Sequence, residues 1–483
     1  MKKNLLVLAS AVLLMTACKK DLNPSSVADE SGTESPSFSA RTSESLFGPV
    51  TLASVISTNR TLSKDTLYEI NGKVCVTGGA TLRIPAGTRI EGLYNADPNL
   101  ASCLIITKTG KLICTGGQTS PVVFTSSLKN LPAARTTRQP GDWGGIVILG
   151  DAPSNKPTTQ VIEGINSATV PEGIDVTYGG QNSLHNGGSL QYVRIEFAGA
   201  AIAANNELNS LTLGGVGSQT TLRYIITSNG ADDAFEFFAG TVNARYLIAN
   251  SQNDDAFDFD FGYRGTVQFG ISVRNPALAY ADANGIECDN DGTGTAATPT
   301  TRPELSNLTI VGRESLTGIF RGARFRRNTD LRMRNSIIMA YPTGATFEST
   351  FLTGTTQAPA FYRDNATHGN TSDVVFSGST TSSLGLNNLT LVGTTPTTWL
   401  NNWNAAHTNT ALKTSALVYK STGPLAPATK APNFIGMSSN IISTVPYIGA
   451  LGPGSPVRVG TTITVPNNWV AGSAGTWVDF APL

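Results

Sequence analysis

Ala231-Asp232-Asp233-Ala234-Phe235-Glu236-Phe237 returns 22 residues later as Asn253-Asp254-Asp255-Ala256-Phe257-Asp258-Phe259. The same interval links their surroundings. Leu222-Arg223-Tyr224-Ile225-Ile226 becomes Ala244-Arg245-Tyr246-Leu247-Ile248, again 22 on, and Val267-Gln268-Phe269-Gly270-Ile271 follows after 23. An earlier copy reads Leu190-Gln191-Tyr192-Val193-Arg194-Ile195. Later copies are Asn307-Leu308-Thr309-Ile310-Val311-Gly312 and Asn388-Leu389-Thr390-Leu391-Val392-Gly393. Nearer the start, Val76-Thr77-Gly78-Gly79-Ala80-Thr81-Leu82-Arg83-Ile84 shares its pattern with residues 106–114.

Each unit is a short β-branched or aromatic run closed by Gly, Asn or Asp, which reads as a brief strand ended by turn-forming residues. No helical periodicity with caps is evident up to about residue 390. A short period without helices predicts an all-β parallel β-helix, one coil per repeat, in which like side chains stack at about 4.8 Å. Propellers repeat at roughly 40 residues and need hairpins, and a sandwich would not return the same letters at one interval. In this arrangement Tyr192, Tyr224, Tyr246 and Phe269 form one column, and Phe235, Phe257, Ile286 and Ile319 form another facing inward. The expected solenoid covers 48–393, with 276–303 and 343–386 thrown out as loops. Residues 394–483 read as an irregular continuation, with a helix in 398–417 and a terminal cap containing Trp469 and Trp477.

The same alignment puts Glu236, Asp258 and Glu287 in one outward register and Asp260 and Asp289 in a second. Asp232, Asp233, Asp254 and Asp255 fall at the preceding turns. Unit charges one rung apart repel by roughly 3–4 kcal/mol at an effective dielectric near 20, so this column needs compensation. Arg321, Arg324, Arg326 and Arg327 lie on the following coil, with Arg332 and Arg334 beyond. Three readings remain open. One is a structural ladder of acids matched by arginines or bonded to their own turns. Another is a Ca²⁺ site, since the donors are all oxygen. The third is a carbohydrate-binding or catalytic groove, in which paired carboxylates act across a glycosidic bond.

Other features narrow the classes. Lys plus Arg equals Asp plus Glu, 34 each, so no basic face marks a nucleic-acid partner. His185, His368 and His407 are far apart, which argues against a zinc or imidazole centre. Cys75, Cys103, Cys114 and Cys288 carry no C-x-x-C spacing; pairing of Cys103 with Cys75 or Cys114 and buried free thiols are both open. Gly214-Gly215-Val216-Gly217 reads as a tight corner rather than a phosphate cradle, because no helix follows it. Trp143, between glycines, reads as exposed at a coil corner.

The N-terminus has its own logic. Lys2 and Lys3 precede an apolar stretch over 5–14 and small residues before Cys18, the order of a secretory signal over 1–17 and too short to span a membrane. Met15-Thr16-Ala17-Cys18 resembles the lipobox of bacterial lipoproteins, which implies acylation of Cys18 and a membrane as partner. Residues 18–47, rich in Ser, Pro and acids, read as a flexible tether. Lys19-Lys20-Asp21 loosely resembles the charged signals of surface-exposed lipoproteins.

Gly141-Asp142-Trp143-Gly144-Gly145, Tyr192-Val193-Arg194-Ile195-Glu196-Phe197-Ala198-Gly199, Leu211-Thr212-Leu213-Gly214-Gly215-Val216-Gly217, Asp232-Asp233-Ala234-Phe235-Glu236 and Asn284-Gly285-Ile286-Glu287 resemble a group of large Bacteroidota lipoproteins. These are similar in turn to a spirochaete outer-membrane lipoprotein, and some carry a "multidrug transporter" label. The resemblance covers most of 50–345 and continues weakly to Trp477. It implies an outer-membrane location, facing the cell surface or the periplasm, and a right-handed β-helix; it supplies no catalytic residues. The first functional expectation is a non-enzymatic binding or structural protein of the envelope, with a glycan or matrix ligand. The alternative is a calcium-dependent β-helix polysaccharide lyase or glycoside hydrolase.

Overall fold

The structure is a computed structural model that describes residues 48–203, 206–274, 283–312, 320–348, 361–368 and 370–377. Short pieces at 389–390, 441, 449–450, 457–459, 462–464 and 477–478 are also described. The signal, Cys18, the tether, Ile319, His407, Trp469 and the 398–417 helix expected above lie outside them.

The tyrosine column explains the coil. Tyr192, Tyr224, Tyr246 and Phe269 all have positive φ, between 52° and 62°. Each bends a strand within itself, namely Gly188–Glu196, Thr221–Ser228, Asn243–Asn250 and Thr266–Val273. Phe197, Asn229 and Ser251 make a second positive-φ corner, and Ala239 and Phe261 a third. Three short sides and three corners use up the 22-residue period. The coils then pair in parallel, Leu222 with Ala244 and Ile225 with Leu247, with the corner residue skipped.

Among the described residues these pairings build one parallel sheet system of 17 strands and another of 11. The architecture is a parallel β-helix. Only short antiparallel pairs leave it, such as Gln160–Val161 with Thr177–Tyr178. No α-helix is present among the described residues; two 3₁₀ turns, Pro98–Leu100 and Ser167–Thr169, are the helical pieces.

The columns stack as the repeats require. Ring centroids lie 4.5 Å apart for Tyr192–Tyr224, 4.6 Å for Tyr224–Tyr246 and 5.0 Å for Tyr246–Phe269. Inside, Phe235 stacks on Phe257 at 5.5 Å and Phe237 on Phe259 at 5.0 Å, all four fully buried. Each such side chain contributes about 1.5–3 kcal/mol by leaving water, so the core is the main source of stability. Ile286 continues the first column, and the register Glu287 to Arg324 puts Ala323 next in line, in the place expected for Ile319.

Three expectations need correcting. The loop expectations do not hold for the described residues: Ile286–Cys288 pairs with Phe257–Asp260 and Arg321–Phe325, and Thr343–Glu348 with Arg321–Phe325 and Ser372–Ser377, so the solenoid runs on. Backbone pairing tolerates the change to Thr- and Ser-rich letters that hid the repeat. Trp143 is fully buried, stacked on Phe124, with its indole N–H donating to the Glu196 carbonyl at 2.8 Å. Gly92 makes the room, since a Cβ there would stand 2.6 Å from the Trp143 side chain. Trp477 does not cap the end of the solenoid: its ring meets the edges of Tyr192 and Tyr224 on the flank. Gly449 and Ala450 also reach the flank, bonding the Asn335 carbonyl and Thr309 Oγ1.

Candidate cation-binding trough

Period-two alternation places the acids. In Phe235–Phe238, Phe257–Asp260 and Ile286–Cys288 the odd positions face the core, and the position between them faces out. The register is Glu236 to Asp258 and Asp258 to Glu287, as the repeat alignment required, and then Glu287 to Arg324, four residues beyond the position that the Ile319 alignment implied. Phe238 pairs with Asp260, which starts the second row.

The turn aspartates sit beside this row and have a structural duty. Asn209 Oδ1 accepts from the Asp233 N–H at 3.1 Å, Asp233 Oδ1 from the Asp255 N–H at 2.8 Å, and Asp255 Oδ1 from the Asn284 N–H. Each side chain therefore bonds the turn of the next coil rather than its own. Arg274, fully buried, donates beneath this column to the carbonyls of Gln252, Asp254 and Asn284.

Together the rows open a trough of about 470 Å³ lined by Glu163, Glu207, Asp232, Asp233, Glu236, Asp254, Asp255, Asp258, Asn284, Glu287, Arg324 and Arg326. Its two ends differ. At one, Arg326 pairs with Glu287 and, at 2.9 Å, with Asp289. Arg324 bonds Glu348 at 2.8 Å and approaches Glu287 at 3.4 Å, while Arg327 holds Asp289 at 2.8 Å. Arg321 starts its strand opposite Thr343, and its carbonyl accepts from the Gly285 N–H. Arginines thus stand against Glu287 and Asp289.

Glu236 and Asp258 have no such pair. Among the described residues no lysine, and no arginine besides Arg324 and Arg326, lines the trough. Glu236 takes a hydrogen bond from Asn209 Nδ2 instead of an ion pair. Asp258 Oδ1 is buried and accepts no hydrogen bond, and neither does Oδ1 of Asn284, a residue 2% exposed. Acid oxygens converge in two overlapping groups, Asp232 with Asp233 and Asp254, and Asp233 with Glu236 and Asp258, each within 4.8 Å.

The electrostatics follow. Burial and then mutual repulsion hold Asp232, Asp233, Glu236, Asp255, Asp258 and Asp260 well above the usual carboxylate range. Burial and then the Glu207 charge push Glu163 up to about 7. Glu287 and Asp289 are raised by burial too, with Arg326 the strongest opposing charge. Several carboxylates in little water, with oxygen atoms lacking donors, match a hard divalent cation. Ca²⁺ takes six to eight oxygens at 2.3–2.6 Å, and no sulfur or imidazole donor stands in either group.

Glu163, Glu207, Asn209, Asn284 and Glu348 were not singled out from the sequence as part of this site. Asn209 and Asn284 could have been found, because they stand two residues before the inward Leu211 and Ile286 as Asp233 does before Phe235. Glu163 and Glu207 come from insertions with no repeat to align. The four cysteines are free and buried, so the thiol reading of the two holds. Burial pushes Cys75 up to about 12 and Cys103 to about 11.

A family profile described as pectate-lyase-like beta helix domain matches residues 54–414. Comparison with curated proteins finds no match. Comparison with solved structures finds none either.

Proposed function

Because the chain belongs to the pectate-lyase-like β-helix domain family, we propose that its solenoid serves as a rigid binding module of the bacterial cell envelope, with a divalent cation of the Ca²⁺ class in the acidic trough. The observation that carries the cation reading is the division of the trough: arginines answer Glu287 and Asp289, while Asp258 Oδ1 and Asn284 Oδ1 lie buried without donors among convergent acids. A cation bridging Asp233, Glu236 and Asp258, or Asp232, Asp233 and Asp254, would supply the missing charge and ligation. Its ligand is a glycan or matrix component.

The lipobox-like Met15-Thr16-Ala17-Cys18 supports anchoring through acylated Cys18, and the likeness to Bacteroidota lipoproteins supports the outer membrane. No helix of the described residues is long and apolar enough to cross a membrane, so the transporter label attached to some of those relatives has no helical span here to support it. A lyase reading needs a basic side chain free to take a proton beside the cation. Arg324 and Arg326 are committed to Glu348, Glu287 and Asp289, so the binding role is favoured over catalysis.

Calcium-dependent melting tests the proposal. A ligand at 100 times its Kd adds about 2.7 kcal/mol. The melting temperature should rise in millimolar Ca²⁺ for the parent chain and stay level for Asp233→Asn/Asp258→Asn. A parent chain that melts at the same temperature with and without Ca²⁺ overturns the cation reading.

A further inference from the structure

The flank beside the tyrosine column carries a different charge pattern. From coil to coil its outward row reads Gln191, Arg223, Arg245, Gln268. The two arginines occupy neighbouring rungs, about 4.8 Å apart, and no carboxylate stands in the row with them. Several arginines elsewhere on the solenoid are matched to acids, as Arg194 is to Glu196 at 2.6 Å and Arg332 to Glu304 at 3.0 Å. Here Gln191 Oε1 accepts from Arg223 Nη2 at 2.7 Å, which orients that guanidinium, while Arg223 Nε is buried without a partner. The Arg245 guanidinium makes no hydrogen bond or ion pair among the described residues. Arg245 also walls a cleft of about 190 Å³ with Ser218, Thr221, Asn243, Thr266 and Gln268.

Like charges one rung apart repel, and an anion between them removes the repulsion. Guanidinium forks favour oxyanions. A carboxylate's two oxygens satisfy one fork, whereas a tetrahedral oxyanion has enough for two. We infer that the Arg223–Arg245 pair binds a sulfate or phosphate group between its two guanidiniums, beside the cleft that Arg245 walls. The group is either a free ion or a substituent of a glycan. This site lies on another face of the coil from the acidic trough and does not depend on the cation there.

Calorimetric titration of the full chain at low ionic strength with inorganic sulfate, inorganic phosphate and a heparin-derived hexasaccharide tests it. Binding should weaken at least tenfold in Arg223→Gln/Arg245→Gln and severalfold in Arg245→Gln alone, and it should fall with added salt. Asp258→Asn, in the trough, should leave it unchanged. A hexasaccharide at least tenfold tighter than sulfate supports the site with a glycan as occupant; equal affinities support it with the free ion. Absence of binding by all three probes overturns the inference. So does undiminished binding in the double variant, or undiminished binding in Arg245→Gln should the double variant fail to melt cooperatively.

Discussion

Tyrosine is a costly choice for a left-handed corner. An L-residue there gives up roughly 1–2 kcal/mol, and a bulky one is a genuine outlier. Tyr192, Tyr224 and Tyr246 accept this geometry because their rings stack, and each aromatic pair returns about 0.5–1.5 kcal/mol beyond its buried area. Further along, the corner passes to Asn307 and Asn335, which tolerate positive φ without help. Tyr224→Ala keeps the strained backbone and loses two stacks and the Trp477 contact; it should lower stability by about 2 kcal/mol or more. Tyr224→Asn loses the same rings but relieves the backbone and should cost less. Urea midpoints of the two variants decide, and an Asn variant less stable than the Ala variant contradicts this account. The column itself was legible because one letter repeats at one interval. The left-handed backbone was not, since nothing in a tyrosine announces it.

At the scale of the strand, the acidic row shows what periodicity can and cannot reveal. Glu236, Asp258 and Glu287 could be placed because each follows an inward apolar residue of a recognisable repeat, and Arg324, Arg326 and Arg327 because they fall on the next coil. Glu163 and Glu207 escaped because contact across an insertion leaves no period. Trp143 was misjudged because the Gly92 that admits it lies far off in sequence. Arg326→Gln would leave Glu287 and Asp289 facing each other half-answered; loss of one partner from a buried pair costs about 3 kcal/mol or more, readable as a drop in the denaturation midpoint. The pH response follows from the raised carboxyl groups. A folded pKa above the unfolded value of roughly 4 means that folding holds protons the unfolded chain has released. Their contribution is therefore greatest below about pH 4. It is lost as pH rises through the folded values, about 7 for Glu163 and well above the ordinary range for its buried neighbours. Metal-free chain should melt lower at pH 8 than at pH 5, and Ca²⁺ should remove the difference. A metal-free melting temperature that climbs over this interval contradicts the assignment.

At the largest scale, the solenoid is a stack of coils whose flanks differ in charge: an acidic trough on one sheet and an arginine pair on another. Pieces of the C-terminal region return to the corner column, Gly449 at Asn335 and Trp477 at Tyr192 and Tyr224. Repeats read from sequence could predict the stack but not this return, because residues 449 and 477 lie outside the repeating pattern. The proposed anchoring is tested on the entire chain: a labelled fatty acid should enter the parent in bacterial cells and not Cys18→Ser, and equal labelling of both excludes lipid on that cysteine. The central claim, that the acids of the trough ligate a divalent cation, is tested most directly by equilibrium dialysis of the metal-free chain against radioactive Ca²⁺ at neutral pH. The account predicts at least one ion retained per chain, lost in Asp233→Asn/Asp258→Asn. Retention no greater than that of the variant would contradict it.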